Sequence, residues 1–447
     1  MADTTDRQDQ QETTETLEQE SLLDSILQET KMKPADEGYG RVKQGVEALI
    51  REIFTNQSDV EKIDRKIVDA MIAELDSRIG RQVDKIMHHP SFQKLESAWR
   101  GLQYLVDHTD FRENIKINIM QATKDELLAD FEDASEIFTS GYYRHIYSAE
   151  YGTFGGKPFG AIVGNYEFGV GARDLALLKN MASVSAMAHA PFLTGTDPDI
   201  FEQDAKDFSN LPYLKDLEAL FEGPRYIKWK SFRESDDARN VGFAMPRFLL
   251  RPPHKAEEGG VKSFAYDEQV PEHGDYCWGN AVFALASRLS DSFAKYRWCP
   301  NIIGPTSGGA VEDLPIHTYE SLGDTHVKIP TEVLLSERRE FELSEQGFIG
   351  LTMRKDSDNA AFFSANSAQK PKYFGQSEEG RTAETNYRLG TQLPYMMVIN
   401  RLAHYIKVIQ RENIGSWKTR TELNDELQTW INQYVVDQDD PQPGVRA

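Results

Sequence analysis

Cysteine and long apolar runs are the scarce features of this chain. Cys277 and Cys299 are the only cysteines among 447 residues, which excludes a disulfide framework or a zinc site built from cysteine alone and indicates a reducing compartment. No apolar run approaches the length needed to cross a membrane, and the N-terminus lacks the basic and apolar regions of a signal peptide. The sequence therefore predicts a soluble, cytoplasmic protein without direct membrane insertion.

Basic charge is also in short supply. Lys and Arg number 50 against 72 Asp and Glu, a formal net charge of −22. Such an excess of acidic charge argues against nucleic acid or anionic lipid as the main ligand. Residues 1–37 contribute disproportionately, with eleven acidic and three basic side chains and hence a net charge of −8.

The N-terminal part combines a polar leader with a short amphipathic helix. Residues 1–20 have too few apolar side chains to fold alone and are predicted to be disordered. In residues 21–34, Ser21 and Asp24 form a helix N-cap pattern and Pro34 ends the helix. Its apolar positions share one face, namely Leu22, Leu23, Ile26 and Leu27. A stripe of this kind needs a partner surface.

Helical spacing dominates residues 35–110. Steps of three and four run through residues 42–86 without a proline from 35 to 89, which predicts one or two long helices. The pattern continues in a further stripe, which we expect to face either the core or a partner chain: Phe92, Leu95, Trp99, Leu102 and Val106.

Residues 111–385 change to alternating strand and helix patterns. Strands are predicted in NIKINIM (114–120), PFGAIVGNYEF, RYIKWKSF (225–232), GFIGLTMR and AAFFSA. Helices are predicted in the Ala-rich stretch DLALLKNMASVSAMAHAPF, which contains His189, and in NAVFALASRLSDSFAKY. Residues 386–447 predict C-terminal helices leading to a truncated linker. The fold class is therefore α/β, with mixed sheet layers and flanking long helices.

Few stretches resemble known nucleotide-binding, metal-binding or catalytic motifs, and each lacks a residue that the motif requires. YGTFGGKPFG has Tyr151 where a phosphate loop has its first glycine, and Pro158 replaces the magnesium-binding Ser or Thr. GVGARD has Asp174 in place of the last glycine of a dinucleotide fingerprint. His88, His89 and His317 lack metal-ligand spacing. We expect His189 to be a hydrogen-bonded core residue, both cysteines to be packed in the interior, and neither metal nor cofactor to be bound.

One charged segment has two interpretations. LLSERREFELSEQG places Arg338, Arg339 and Glu340 between apolar positions. It is either a solvated, salt-bridged segment, which is common, or an inter-subunit contact in which Arg338 and Arg339 fork onto a neighbour's carboxylates.

Four long stretches resemble one family, the large subunit of the type VI secretion contractile sheath (TssC or VipB family). They are HHPSFQKLESAWRGLQYLVDHTDFRENIKINIM, AEYGTFGGKPFGAIVGNYEF, PTEVLLSERREFELSEQGFIGLTMRKDSDNAAFFSANSAQKPK and WINQYVVDQDDP. The resemblance extends from about residue 21 to about residue 441.

The resemblance implies a bacterial, non-enzymatic structural protein with a phage tail-sheath-like fold. Its implied partners are the small sheath subunit (TssB, VipA), further copies of itself, the inner Hcp tube, baseplate components and the AAA+ ATPase ClpV. It also implies that Leu22, Leu23, Ile26 and Leu27 dock on that ATPase after contraction; the alternative is that this helix packs on its own protein or on a sheath neighbour. Relatives continue past the region of DDPQPGVRA into C-terminal strands that pair with neighbouring subunits, whereas this sequence stops at Ala447. A trimmed or partly ordered chain is the expectation in preference to a natural truncation; a natural end here would remove that strand pairing.

Two rival functions stay open at this stage. A non-polymerising adaptor would share the docking helix but form a discrete complex. A small-ligand-binding enzyme would use the glycine-rich loops near residues 152–171 and 304–309.

Overall fold

A computed structural model describes residues 65–203, 208–258, 264–321, 323–353 and 359–435, together with the isolated positions 44, 45 and 48. The chain divides into two compact units, Met1–Arg78 and Ile79–Ala447. Apart from residues 65–78 of the first helix, the features described below lie in the second unit.

The helices follow the predicted periodicity closely. They are α1 (Arg65–Met87), α2 (Pro90–Asp107), α3 (Lys124–Asp133), α4 (Ala172–Ala188), α5 (Leu217–Phe221), α6 (Ile227–Arg233), α7 (Ala281–Tyr296), α8 (Glu337–Glu345), α9 (Glu378–Leu389), α10 (Leu393–Glu412) and α11 (Arg420–Asn432). Between α3 and α4 the chain forms two three-residue α-helical turns, Gly141–Tyr143 and Ala149–Tyr151, on either side of a π-helical turn, Arg144–Ser148.

The strands are β1 (Ile162–Phe168), β2 (Phe192–Thr196), β3 (Val241–Met245), β4 (Phe248–Leu249), β5 (Trp278–Gly279), β6 (Ala310–Val311), β7 (His317–Ser321), β8 (Asp324–Lys328), β9 (Phe348–Met353) and β10 (Ala360–Phe362). Six of them form a mixed sheet in the order β1-β2-β3-β9-β10-β6. The first four are parallel, whereas β10 pairs antiparallel with both β9 and β6. The predicted α/β class with a mixed sheet and flanking helices is confirmed.

Two hydrophobic clusters form the core. The larger includes α4, α6 and one face of the sheet, with Trp229, Phe243 and Phe348 among its fully buried side chains. The second joins α7 to the other face of the sheet and includes Leu193, Phe283 and Phe362. Burial on both faces explains why β2 and β3 are buried at every position, as expected for parallel strands between helical layers.

Three local predictions were wrong. RYIKWKSF is helical, because Tyr226, Trp229 and Phe232 recur every third residue and are all buried. NIKINIM forms no strand, since residues 115–121 are unpaired within the described part of the chain. His189 lies outside the helix: it is the C-cap of α4 in the left-handed conformation, with φ 53°.

Candidate assembly surfaces

Helix α2 has apolar side chains on two opposite faces. Its inner face packs on α7 so closely that a Cβ on Gly101 would come within 2.4 Å of the Phe283 ring. Leu105 is buried on the same face, and the Ser97 hydroxyl donates a hydrogen bond of 2.7 Å to the Trp278 carbonyl. This face therefore accounts for the attachment of α2 to α7 and to the loop around β5.

Three of the five residues of the predicted stripe face outward, whereas Phe92 is half-buried and Leu102 packs against the second core cluster. Leu95 is 56 % exposed, Trp99 64 % and Val106 39 %. A helix that is apolar on both sides is typical of a buried position, and a cluster of exposed large apolar side chains marks an interaction surface. The sequence left open whether this stripe faces the core or a partner: Leu102 contacts the second core cluster, whereas Leu95, Trp99 and Val106 face away from the core of the second unit.

A buried ion network fixes α2 and the end of α1 to the loop that follows β4. The Arg251 guanidinium contacts Glu96 (Nε–Oε1 2.6 Å) and Glu268 (Nη1–Oε2 2.5 Å), and all three side chains are at most 10 % exposed. Glu268 also accepts a hydrogen bond from the His254 backbone N–H at 2.9 Å. Burial alone would raise the pKa of each carboxyl. The pKa values of Glu96 and Glu268 are nevertheless lowered, because the interactions with Arg251 act together with those of Arg100 on Glu96 and of the His254 backbone N–H and His88 on Glu268.

The segment 115–121 lies next to the sheet edge. Its end is held where the Tyr166 hydroxyl of β1 donates to the Ala122 carbonyl at 2.7 Å. Ile117 packs against the second core cluster, whereas Ile119 is 70 % exposed. The segment therefore has no partner strand among the described residues.

Helix α8 contains the predicted contact Arg338, Arg339 and Glu340, but their environments differ. Arg339 is buried, and its guanidinium donates to the carbonyls of Pro212 and Leu214. Glu340 is also buried, which raises its pKa, and it accepts a 2.5 Å hydrogen bond from Ser364. Arg338, with a side chain that is 87 % exposed, contacts only Glu342 among the described residues.

A surface contact on α8 would therefore centre on Arg338. The neighbouring Phe341 is 64 % exposed and was not singled out by the sequence analysis. Its position three residues beyond Arg338, on the same side of the helix, is a signal that could have identified it.

The docking residues Leu22, Leu23, Ile26 and Leu27 lie outside the described residues. Their role stays a prediction.

The carboxyl ends of the parallel strands, where α/β proteins commonly bind ligands, are filled by protein side chains. Arg247 makes a bidentate ion pair with the buried Glu332. Glu167 lies close to both, and burial raises its pKa. The remaining cavity is about 10 Å³ and is lined by Thr196, Pro246 and Asn280 among others, which is space for about one water molecule.

The cysteines and histidines serve packing and hydrogen bonding. Cys277 is buried and Cys299 packs on the edge of the second cluster; burial raises their pKa values to about 12 and about 11. His317 Nδ1 lies 2.9 Å from the Tyr276 hydroxyl. In the part of the chain that the structure describes, no three His, Cys, Asp or Glu side chains are grouped as metal ligands. The helices described there include none with the length and apolar character of a membrane span.

Helices pack on the sheet, side chains fill the crevice at the strand ends, and apolar helix faces are exposed. Together these features define the class of structural assembly proteins. Comparison with known proteins is consistent with this class. Residues 69–369 match the family model VipB, described as EvpB/VC_A0108, tail sheath N-terminal domain. Residues 382–447 match VipB_2, the EvpB/VC_A0108 tail sheath gpW/gp25-like domain.

A curated relative from Pseudomonas aeruginosa, named type VI secretion system sheath protein TssC1, is 40 % identical over 434 residues. The match covers 94 % of this chain and 84 % of the relative. The chain therefore belongs to the VipB/EvpB tail sheath family, the large subunits of the type VI secretion sheath. This family is structural, and the chain is not an enzyme.

Proposed function

We propose that the chain co-polymerises with the small sheath subunit around the Hcp tube and that the resulting sheath contracts to propel this tube. The supporting observation is the outward stripe of α2, in which Trp99 is 64 % exposed although the helix is already packed on its other side. Covering these side chains with a further chain of the sheath would remove apolar surface from water, which stabilises association.

The test is negative-stain microscopy of the chain co-expressed with its small partner, once as given and once with the C-terminal strands of relatives added. Tubes in both samples, or in the extended one alone, support the sheath function. Discrete particles in both samples would instead support the adaptor.

The second part of the proposal concerns recycling. We propose that residues 21–34 form the helix that the ClpV ATPase recognises after contraction, with Leu22, Leu23, Ile26 and Leu27 as apolar anchors in a groove of the ATPase. The arrangement would make ATPase binding depend on whether the lattice covers this helix. The proposed localisation is the bacterial cytoplasm, with baseplate components at one end of the sheath.

Substitutions on the two faces of this helix provide the test. Leu23→Asp with Leu27→Asp is expected to lower ATPase binding to preformed sheaths at least tenfold, because two apolar anchors become charged. Gln28→Asp, on the opposite face, is the matched control and should bind normally. Equal binding by all three proteins would contradict the docking role, and loss of tubes in the double variant would assign the helix to the lattice.

A further inference from the structure

Helix α10 connects the two regions that match different family domains. It belongs to the region 382–447, whereas α4 and the residues before β1 belong to the region 69–369. The Arg411 guanidinium donates hydrogen bonds to the carbonyls of Glu150 and Gly156, at 2.9 and 3.3 Å. Together with contacts at the end of α4, these bonds attach the second region to the first within one chain.

The contacts at the end of α4 satisfy carbonyls that the helix leaves free. The last four carbonyls of an α-helix have no partner within it. The backbone N–H groups that follow α4 bind two of them, at positions 185 and 186. The Lys407 ammonium donates to the next one, on Met187, at 3.0 Å. His404 Nε2 lies 3.0 Å from the last one, on Ala188, so α10 completes the C-terminal cap of α4.

The two halves of α10 are attached in different ways. The first half is buried through apolar side chains, namely Leu393, Met396 and Met397. In the second half the buried side chains are polar, namely Asn400, His404 and Arg411, and each has one atom without a hydrogen-bond partner among the described residues. Such an atom costs free energy in a buried site. The second half is therefore the part of this helix that opens most easily.

The hydrogen bond to Ala188 fixes the position of the proton on His404. A carbonyl oxygen only accepts, so Nε2 carries the hydrogen and donates it. The other ring nitrogen, Nδ1, is buried and has no hydrogen-bond partner within the described part of the chain. Protonation of the ring would place a second N–H there without an acceptor, which opposes the charged form.

The groups around His404 also oppose its protonation. Arg401 and Lys407 flank it on α10, and His189 faces it from the end of α4, with 6.3 Å between the ring centroids. Tyr151 faces it from the other side at 6.1 Å and donates to the same carbonyl at 2.8 Å. Burial and the basic neighbours lower the pKa of His404 to about 4, although the backbone hydrogen bond acts in the opposite direction.

We propose that residues 400–412 form a clasp between the two regions and that mild acid releases it, because the closed position favours the neutral form of His404. In the open state the ring is in water and binds a proton near its ordinary pKa of 6.5. The closed state therefore has its full stability above about pH 6.5 and loses it as the pH falls toward 4. The clasp lies within one chain and does not depend on co-polymerisation.

Hydrogen–deuterium exchange measures the clasp in the full chain, purified with the small subunit where the two form a complex. We expect the protection factors of amides 404–412 to fall at least tenfold between pH 7.5 and pH 5.5, which is the change in the opening equilibrium that an open-state pKa of 6.5 produces. The amides of β3, which is buried at every position, are the internal reference and should keep their protection. A parallel fall in β3 would mean that the fold opens as a whole and would overturn the clasp.

Histidine variants identify the titrating group. His404→Gln keeps an N–H that can donate to Ala188 but does not titrate, so its protection factors should agree within twofold at the two pH values. His404→Leu loses the hydrogen bond, so it should start from lower protection at pH 7.5 and show no further fall. His189→Asn is the matched control: it removes the other histidine, and asparagine tolerates the left-handed conformation of this position. Its protection should still fall about tenfold.

The remaining outcomes separate the clasp from the proposed function. A tenfold fall in either His404 variant, or its loss in His189→Asn, overturns His404 as the sensor. Unchanged protection of amides 404–412 in the unmodified chain at pH 5.5 overturns the release by acid. Failure to form a complex with the small subunit contradicts co-polymerisation, whereas the exchange measured on the chain alone still decides for or against the clasp.

Discussion

At the scale of single residues, Arg251 compensates two buried carboxylates, because it forms ion pairs with both Glu96 and Glu268. Replacing it by Met leaves two carboxylates in a site with little access to water, and removing one partner from a buried ion pair typically costs about 3 kcal/mol or more. We expect Arg251→Met to lower the Tm of the co-expressed complex by roughly 5–10 °C at pH 7.

The loss of Tm caused by Arg251→Met should become smaller as the pH falls. Both carboxyls have folded-state pKa values below the ordinary 4.5, so their ion pairs add stability above about pH 4.5 and lose it as the pH falls through the lower folded-state values. In Arg251→Met the unpaired carboxylates protonate more easily, so the difference in Tm from the unmodified protein should shrink from pH 7 to pH 4.5. Arg112→Met, which breaks an exposed pair with Asp110, is the control and should change Tm at neither pH.

At Gly101, the absence of a Cβ atom allows α2 to pack closely on Phe283 of α7. A Cβ there would overlap the buried Phe283 ring at 2.4 Å, and the cost of overpacking exceeds the roughly 1 kcal/mol that alanine gains in a helix. We expect Gly101→Ala to lower the Tm of the complex by roughly 2–5 °C. Gly160→Ala, where a Cβ meets no atom within 4 Å, should leave Tm unchanged, and Phe283→Leu should partly rescue Gly101→Ala. An unchanged Tm in Gly101→Ala would show that α2 and α7 can separate at little cost.

At the scale of elements, the outward face of α2 should govern association rather than folding. Leu95→Asp with Trp99→Asp removes the most exposed apolar side chains of this helix without touching Gly101 or Leu105 on its inner face. We expect the variant to reduce tube formation with the small subunit at least tenfold and to increase the soluble fraction of the large subunit expressed alone. Ile227→Asp, on α6 and 65 % exposed, is the matched control. Normal tubes from the α2 variant would show that the stripe is not part of the lattice.

The elements also show how far the sequence could be read. Long periodic stretches predicted α4, α7, α10 and α11 correctly, because many positions report the same face. The strands β2 and β3 were missed, since five residues buried on both faces show no alternation. Residues 225–232 were misread because so short a stretch fits both periods, and only burial of Trp229 and Phe232 decides for the helix.

The candidate surfaces, like the secondary structure, could be predicted only in part from the sequence. Spacing grouped Phe92, Leu95, Trp99, Leu102 and Val106 in one stripe, but spacing says nothing about what covers each side chain. In the structure Leu102 packs against the second core cluster, whereas Leu95, Trp99 and Val106 are exposed. The alternation of residues 115–119 predicted a strand, and this prediction was wrong because no strand of the described part of the chain pairs with these residues.

At the scale of the whole molecule, the net charge of −22 helps to identify the cause of any poor solubility. Mutual repulsion at this charge opposes aggregation, so any aggregation of the isolated large subunit must come from exposed apolar surfaces such as the stripe of α2. We expect the chain expressed alone to aggregate, and to do so more strongly at 0.5 M than at 0.05 M NaCl, because salt screens the repulsion. Co-expression with the small subunit should restore a soluble complex at both salt concentrations, as measured by size-exclusion chromatography with light scattering. A monodisperse monomer without the partner would contradict the assembly function, since it would mean that these apolar faces need no second chain to cover them.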